Sequence, residues 1–159
     1  MDEKKLAIIA TKGTLDWAYP PFILASTAAA LGYETQIFFT FYGLQLVKKN
    51  LDLKVSSLGN PGMPMPAGMD KWFPVLLQAL PGMEGMMTSM MKKKMASKGV
   101  ASLEELRELC VEAEVKMVAC QMTVDLFDME HGDFIDDLEF GGAASFFEFA
   151  GESDICLYI

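Results

Sequence analysis

Basic residues, cysteine and histidine are scarce in this sequence, and each scarcity removes a class of function. Thirteen Lys and Arg stand against twenty-two Asp and Glu, a formal charge of −9. General nucleic-acid binding needs a basic surface to displace counterions, so it is excluded as an expectation. Three cysteines without CxxC spacing make neither a disulfide framework nor a zinc site. The acidic group Asp133, Asp136, Asp137 and Glu139 lacks calcium-loop spacing, and a solvated face accounts for it. No GxGxxG follows an apolar run, and Thr11-Lys12-Gly13-Thr14 lacks the earlier glycine of a phosphate-binding loop. No metal and no organic cofactor is therefore expected. A basic-then-apolar leader is also missing, because Met1-Asp2-Glu3-Lys4-Lys5 runs directly into a strand-like stretch; a reducing cytoplasm is the expected setting. No uninterrupted apolar stretch of about twenty residues is present to span a bilayer. Residues 72–91 come closest, but Pro74, Pro81, Gly82, Glu84 and Gly85 break them.

What is present is a hydrophobic fraction of 52% in 159 residues, enough for one well-packed domain over residues 1–159. Leu6-Ala7-Ile8-Ile9-Ala10 is the continuous apolar run of a strand covered on both faces. Pro20 and Pro21 suit the first turn of an Ala-rich helix that Gly32 stops. Residues 35–39 form a second strand, residues 41–47 a short helix, and residues 51–55 a weak edge strand. Residues 56–68, uncharged and rich in Gly and Pro, are a loop. Ser102 and Glu105 form a capping box ahead of a helix with Leu103, Leu106, Cys110 and Ala113 on one face. A strand over residues 115–119, a helix after it, a Gly141-Gly142 turn, a helix over 143–150 and a buried strand over 155–159 complete the chain. Alternating strands and helices predict an α/β fold with a doubly wound, mostly parallel sheet.

Cys120 stands where the strand ending at Ala119 meets the next helix, at the carboxyl edge of such a sheet. A sulfur there, exposed and beside a helix start, favours the thiolate. The plain alternative is a small packed residue. Cys110 lies too far down its helix to bridge to Cys120, and Cys156 is expected inside the last strand, so both are read as packing residues. Loops leaving the same edge bring Lys12, Gly13 and Thr14 from the first strand and Thr40, Phe41 and Tyr42 from the second. A lysine would lower the sulfur's pKa, and hydroxyls or loop N–H groups would hold an anionic sulfur species. Lys12 reads equally as a solvated loop charge, and Phe41 and Tyr42 as packing aromatics. Gln121 follows the sulfur and joins the candidate binding set. His131, the single histidine, lies in the turn after that helix and is expected on the surface at its far end.

Methionine is concentrated. Nine of the thirteen lie between Met63 and Met95, and Met83, Met86, Met87, Met90 and Met91 follow helical spacing ended by Lys92-Lys93-Lys94. Such adaptable side chains suit binding surfaces, so a Met-rich loop and helical insertion over residues 60–98 is expected. It would face a second copy, a partner protein or a membrane surface.

Taken together, Ala10-Thr11-Lys12-Gly13-Thr14-Leu15-Asp16-Trp17-Ala18-Tyr19-Pro20, Phe38-Phe39-Thr40-Phe41-Tyr42-Gly43-Leu44, Asn60-Pro61-Gly62-Met63-Pro64, Ala119-Cys120-Gln121-Met122-Thr123 and Glu139-Phe140-Gly141-Gly142-Ala143 resemble the DsrE/DsrF/DsrH-like family, in its DsrE-type sulfurtransferase branch, almost end to end. The resemblance implies a flavodoxin-like fold, a homo-oligomer, and sulfane sulfur carried as a persulfide on the cysteine that matches Cys120. It also implies exchange with rhodanese-like enzymes and small sulfur-carrier proteins. The other reading left open is a non-enzymatic protein- or membrane-interaction module that uses the Met-rich insertion. Thiol peroxidase chemistry is weaker, since no resolving cysteine is expected within reach of Cys120 and no TxxC is present.

Overall fold

The computed structural model describes residues 3–56 and 80–159. The expected loop beyond Ser56, the stretch Asn60-Pro61-Gly62-Met63-Pro64, and Met63, Met65 and Met69 lie outside the described residues. The chain divides into two compact units, Met1–Gly13 with Trp17–Leu53 and Ser102–Ile159, and Thr14–Asp16 with Lys54–Ala101.

The first unit holds five parallel strands: β1 (Lys5–Ala10), β2 (Glu34–Phe39), β3 (Lys116–Cys120), β4 (Leu138–Gly141) and β5 (Ile155–Tyr158). Their order is β4-β3-β2-β1-β5. The helices are α1 (Leu15–Ala30), which begins in the residues of the second unit, α3 (Leu103–Glu112), α4 (Gln121–Leu126) and α5 (Ala143–Ala150), with α2 (Met83–Ser97) in the second unit. A 3-10 segment, Phe41–Val47, follows β2.

Side-chain alternation divides the core between two faces. On one, Phe22 of α1 packs on Phe39 with ring centroids 5.9 Å apart, and the Cys110 thiol of α3 donates to the Phe22 carbonyl at 3.5 Å. On the other, Phe146 of α5 is buried with Ala7, Phe38, Val118 and Cys120. Helices on both faces make the sheet doubly wound. The winding reverses between β1 and β5, so Cys120, at the end of β3, lies two strands from that reversal.

Several expectations shift. α1 begins at Leu15, which places Pro20 and Pro21 inside it and leaves the carbonyls four residues back without helical donors. Gly32 does end it, in the left-handed region at φ 84°, with Tyr33 N–H on the Ala28 carbonyl at 3.0 Å. Residues 51–55 form no strand, whereas β4, a four-residue strand containing Glu139, was not anticipated. β5 is an edge strand and largely exposed, with Tyr158 at 74%. Cys156 is therefore exposed, not packed.

In the second unit, Asp16 takes the Ser56 N–H at 2.9 Å and the Ser56 hydroxyl at 2.6 Å, while Leu15 N–H donates to the Lys54 carbonyl at 2.8 Å. Val55 N–H donates to the Thr88 hydroxyl of α2 at 3.0 Å. The five expected methionines do not form one stripe: Met87 is buried and Met83, Met91 and Met95 are half-buried at four-residue intervals, but Met86 and Met90 are exposed. Among the described residues, no helix is long and apolar enough to cross a membrane.

Candidate functional site around Cys120

β3 ends at Cys120 and α4 begins at Gln121, so Cys120 is the residue before the helix, with extended backbone at φ −68° and ψ 109°. Its thiol is not exposed as expected: the residue is 5% accessible, because Phe38, Val118 and Phe146 pack around it. Burial alone pushes the thiol pKa up. The Thr123 hydroxyl and N–H, the Thr40 hydroxyl and the Met122 N–H outweigh that effect and hold it below the ordinary range. The sulfur is buried but polar-lined.

Thr123 belongs to this site, and the sequence reading passed it over. It is wholly buried; its Oγ1 lies 3.1 Å from Thr40 Oγ1 and accepts the Phe41 N–H at 3.3 Å. A signal was available: if Cys120 precedes the helix, Thr123 is the third helical residue, whose side chain turns back toward that position. Phe41 delivers its N–H from the left-handed region, at φ 50°, an uncommon conformation for a bulky residue.

Two glycines bring the neighbouring loops together. A Cβ at Gly43 would collide with the Ala10 carbonyl, and one at Gly13 with the Tyr42 carbonyl. Gly13 thus serves close approach of chain to chain. Thr40 faces the sulfur as expected. Tyr42 is exposed and stacks on Phe127 at 5.9 Å, and Phe41 meets Phe127 edge-on at 6.2 Å. Lys12 departs from expectation: its Nζ sits 3.1 Å from the Trp17 ring centroid, a cation–π contact, and it is not among the groups shifting the sulfur. Thr14 belongs to the second unit, 3.3 Å from the Ser56 hydroxyl.

Gln121 is engaged on both sides. Its amide nitrogen donates to Asp125 Oδ1 at 2.7 Å, which turns its oxygen toward His131 Nε2 at 2.9 Å. A carboxylate only accepts, so His131 Nε2 carries a proton and donates. His131 is exposed, as expected, but it lies against the first residue of α4 and not at the helix's far end. Stacking on Phe140 of β4, at 3.7 Å between centroids, draws it back. All three cysteines are free, and Cys110 is buried with its pKa pushed up to about 12 by desolvation, against a weaker opposing backbone hydrogen bond.

A model of the DsrE/DsrF/DrsH-like family matches residues 2–158. The chain belongs to that family. This DsrE-like chain is 80% identical over 159 residues to the sulfur carrier protein DsrE2 of Allochromatium vinosum, with 100% of both chains covered. It is 33% identical to the uncharacterized protein YrkE of Bacillus subtilis, covering 98% of this chain and 97% of the other. The crystal structure of the ychN protein from E. coli shares its fold, with a TM-score of 0.55, 11% identity, and 98% and 99% of the two chains covered.

Proposed function

We propose that this protein is a sulfur carrier that holds sulfane sulfur as a persulfide on Cys120. The observation that carries the reading is one lone cysteine at a strand–helix junction, with two hydroxyls and two backbone N–H groups favouring its thiolate. The relative named a sulfur carrier protein, identical at 80% of positions, points the same way.

In loading, the Cys120 thiolate attacks the outer sulfur of a donor persulfide R–S–SH. The donor's S–S bond breaks, R–S⁻ leaves and Cys120–S–SH forms. In discharge, an acceptor thiolate attacks that outer sulfur, the Cys120 thiolate leaves, and the acceptor becomes the persulfide. Each step exchanges one S–S bond for another, with no net oxidant. The groups that lower the Cys120 pKa make it a good leaving group in discharge. The Thr40 and Thr123 hydroxyls act at the sulfur itself, while Gly13, Tyr42, Gln121 and Lys12 shape its surroundings. Donors and acceptors of rhodanese-like and small sulfur-carrier type, cytoplasmic location and homo-oligomeric assembly belong to the same proposal.

Incubation with inorganic polysulfide should add one sulfur mass, mapped by peptide mass spectrometry to Cys120. A Cys120→Ser variant that loads equally would end this reading. The exposed Met86 and Met90 favour the second reading, an interaction module built on α2. It requires that Cys120 resist alkylation at every pH at which the fold is intact.

A further inference from the structure

Five apolar side chains stand on the two elements that flank the sulfur: Phe41, Tyr42, Met122 and Leu126 are exposed and Phe127 is half-buried. Tyr42, Met122 and Leu126 are 64%, 63% and 59% exposed. They belong to the site's own elements, since Phe41 N–H is bonded to Thr123, Tyr42 stacks on Phe127, and Met122 and Leu126 are one turn apart on α4. Large exposed apolar groups clustered beside a reactive atom mark a contact surface.

The segment that carries Met122, Leu126 and Phe127 is acidic. From Gln121 to Asp133 the chain carries Asp125, Asp128, Glu130 and Asp133, all exposed, and no Lys or Arg. None of the four carboxylates forms an ion pair with a Lys or Arg among the described residues, although the Asp133 carbonyl accepts the Lys49 N–H at 2.9 Å. Lys12 is engaged by Trp17, and Lys49 pairs with Asp136 at 3.4 Å. The sulfur is 5% accessible, so a thiol on a flat surface does not reach it.

We infer that this contact surface docks a protein partner whose exchanging cysteine projects on an extended segment, beside an apolar residue and between Lys or Arg side chains. The apolar residue meets Tyr42 and Phe127, and the basic ones face Asp128 and Glu130. This partner class rests on the carrier reading, but its test needs only the Cys120 thiolate.

Two peptides of equal length, each with one cysteine beside a leucine, are flanked by lysines in one and by glutamates in the other. Each cysteine is blocked as its mixed disulfide with thionitrobenzoate. Attack by a protein thiolate releases the coloured thiol, and mass spectrometry assigns the adduct. Exposed Cys156 in the same molecule reports the pull of the whole −9 charge. At low ionic strength the lysine peptide should react at Cys120 about tenfold faster than the glutamate peptide, a ratio several times that at Cys156, and salt should collapse it. Asp128→Asn with Glu130→Gln should bring the two ratios together, and Tyr42→Ser should slow both peptides at Cys120 only. Equal ratios at Cys120 and Cys156, or reaction confined to Cys156, would overturn the inference. Polysulfide loading, measured separately, decides the carrier reading.

Discussion

Cys120 and Cys110 show how the donors facing a buried sulfur decide its ionisation. Cys110 is buried and donates to the Phe22 carbonyl, and one backbone hydrogen bond from Ser26 does not offset its desolvation, so its thiol is held neutral up to about pH 12. Cys120 is also buried, but two hydroxyls and two N–H groups face it. Thr123→Val should therefore raise the apparent pKa of Cys120 and slow its iodoacetamide alkylation several-fold at neutral pH, whereas Thr123→Ser should retain most of the effect. The valine variant also leaves Phe41 N–H without its acceptor, a cost of about 1 to 3 kcal/mol in chemical denaturation. Across the three cysteines, alkylation against pH should find Cys156 open, Cys120 slower but ionised at lower pH, and Cys110 inert until the chain unfolds. Cys120 was legible in the sequence because strand-then-helix patterning marks the sheet edge. Its burial was not, because Phe146 comes from a helix more than twenty residues further along.

Among the elements, β4 is the one that the sequence pattern does not announce. Leu138-Glu139-Phe140-Gly141 is short, charged at its second position and ended by glycine, so neither alternation nor an apolar run announces it. Pairing with β3 makes it a strand, helped by Lys116 and Glu139 at 3.1 Å. β2 carries the converse feature: Gln36 is buried with its Nε2 unpartnered among the described residues. A buried amide nitrogen without an acceptor costs stability, and a similar apolar shape does not. Gln36→Met should raise the melting temperature by a few degrees. In the second unit, Ser56→Ala removes one hydroxyl hydrogen bond to Asp16 and should lower stability by about 1 to 2 kcal/mol, since bonds to a charged acceptor exceed neutral ones.

At the scale of the molecule, these groups set a pH window. Burial would raise the Asp16 pKa, but the Ser56 and Thr14 hydrogen bonds bring it below its usual 3.8. Its contribution is complete above the unfolded value and is lost as pH falls through the lowered folded one. On the alkaline side, the unfolded Cys110 ionises from 9.0 while the folded thiol stays protonated to about 12, so stability declines across that interval. Tyr19, raised by burial and then by Glu104 and Glu105, acts in the same direction, and Cys120 in the opposite one. Denaturation midpoints should be flat near neutrality and fall at both ends. Asp16→Asn should flatten the acid limb, and Cys110→Ala should weaken the alkaline one at some cost in packing.

The alternation of apolar runs with capped helices was enough, read alone, to establish a wound parallel α/β fold and to put Cys120 at its carboxyl edge, because both follow from local periodicity and chain order. Which side chains surround that sulfur was decided only by tertiary packing. The Thr40-Phe41 pair and Phe146 come from two segments far along the chain from Cys120 and Thr123, and no local pattern encodes their meeting. The same holds for His131, brought back to Gln121 by a stacking partner on a strand that forms only when its neighbour is in place.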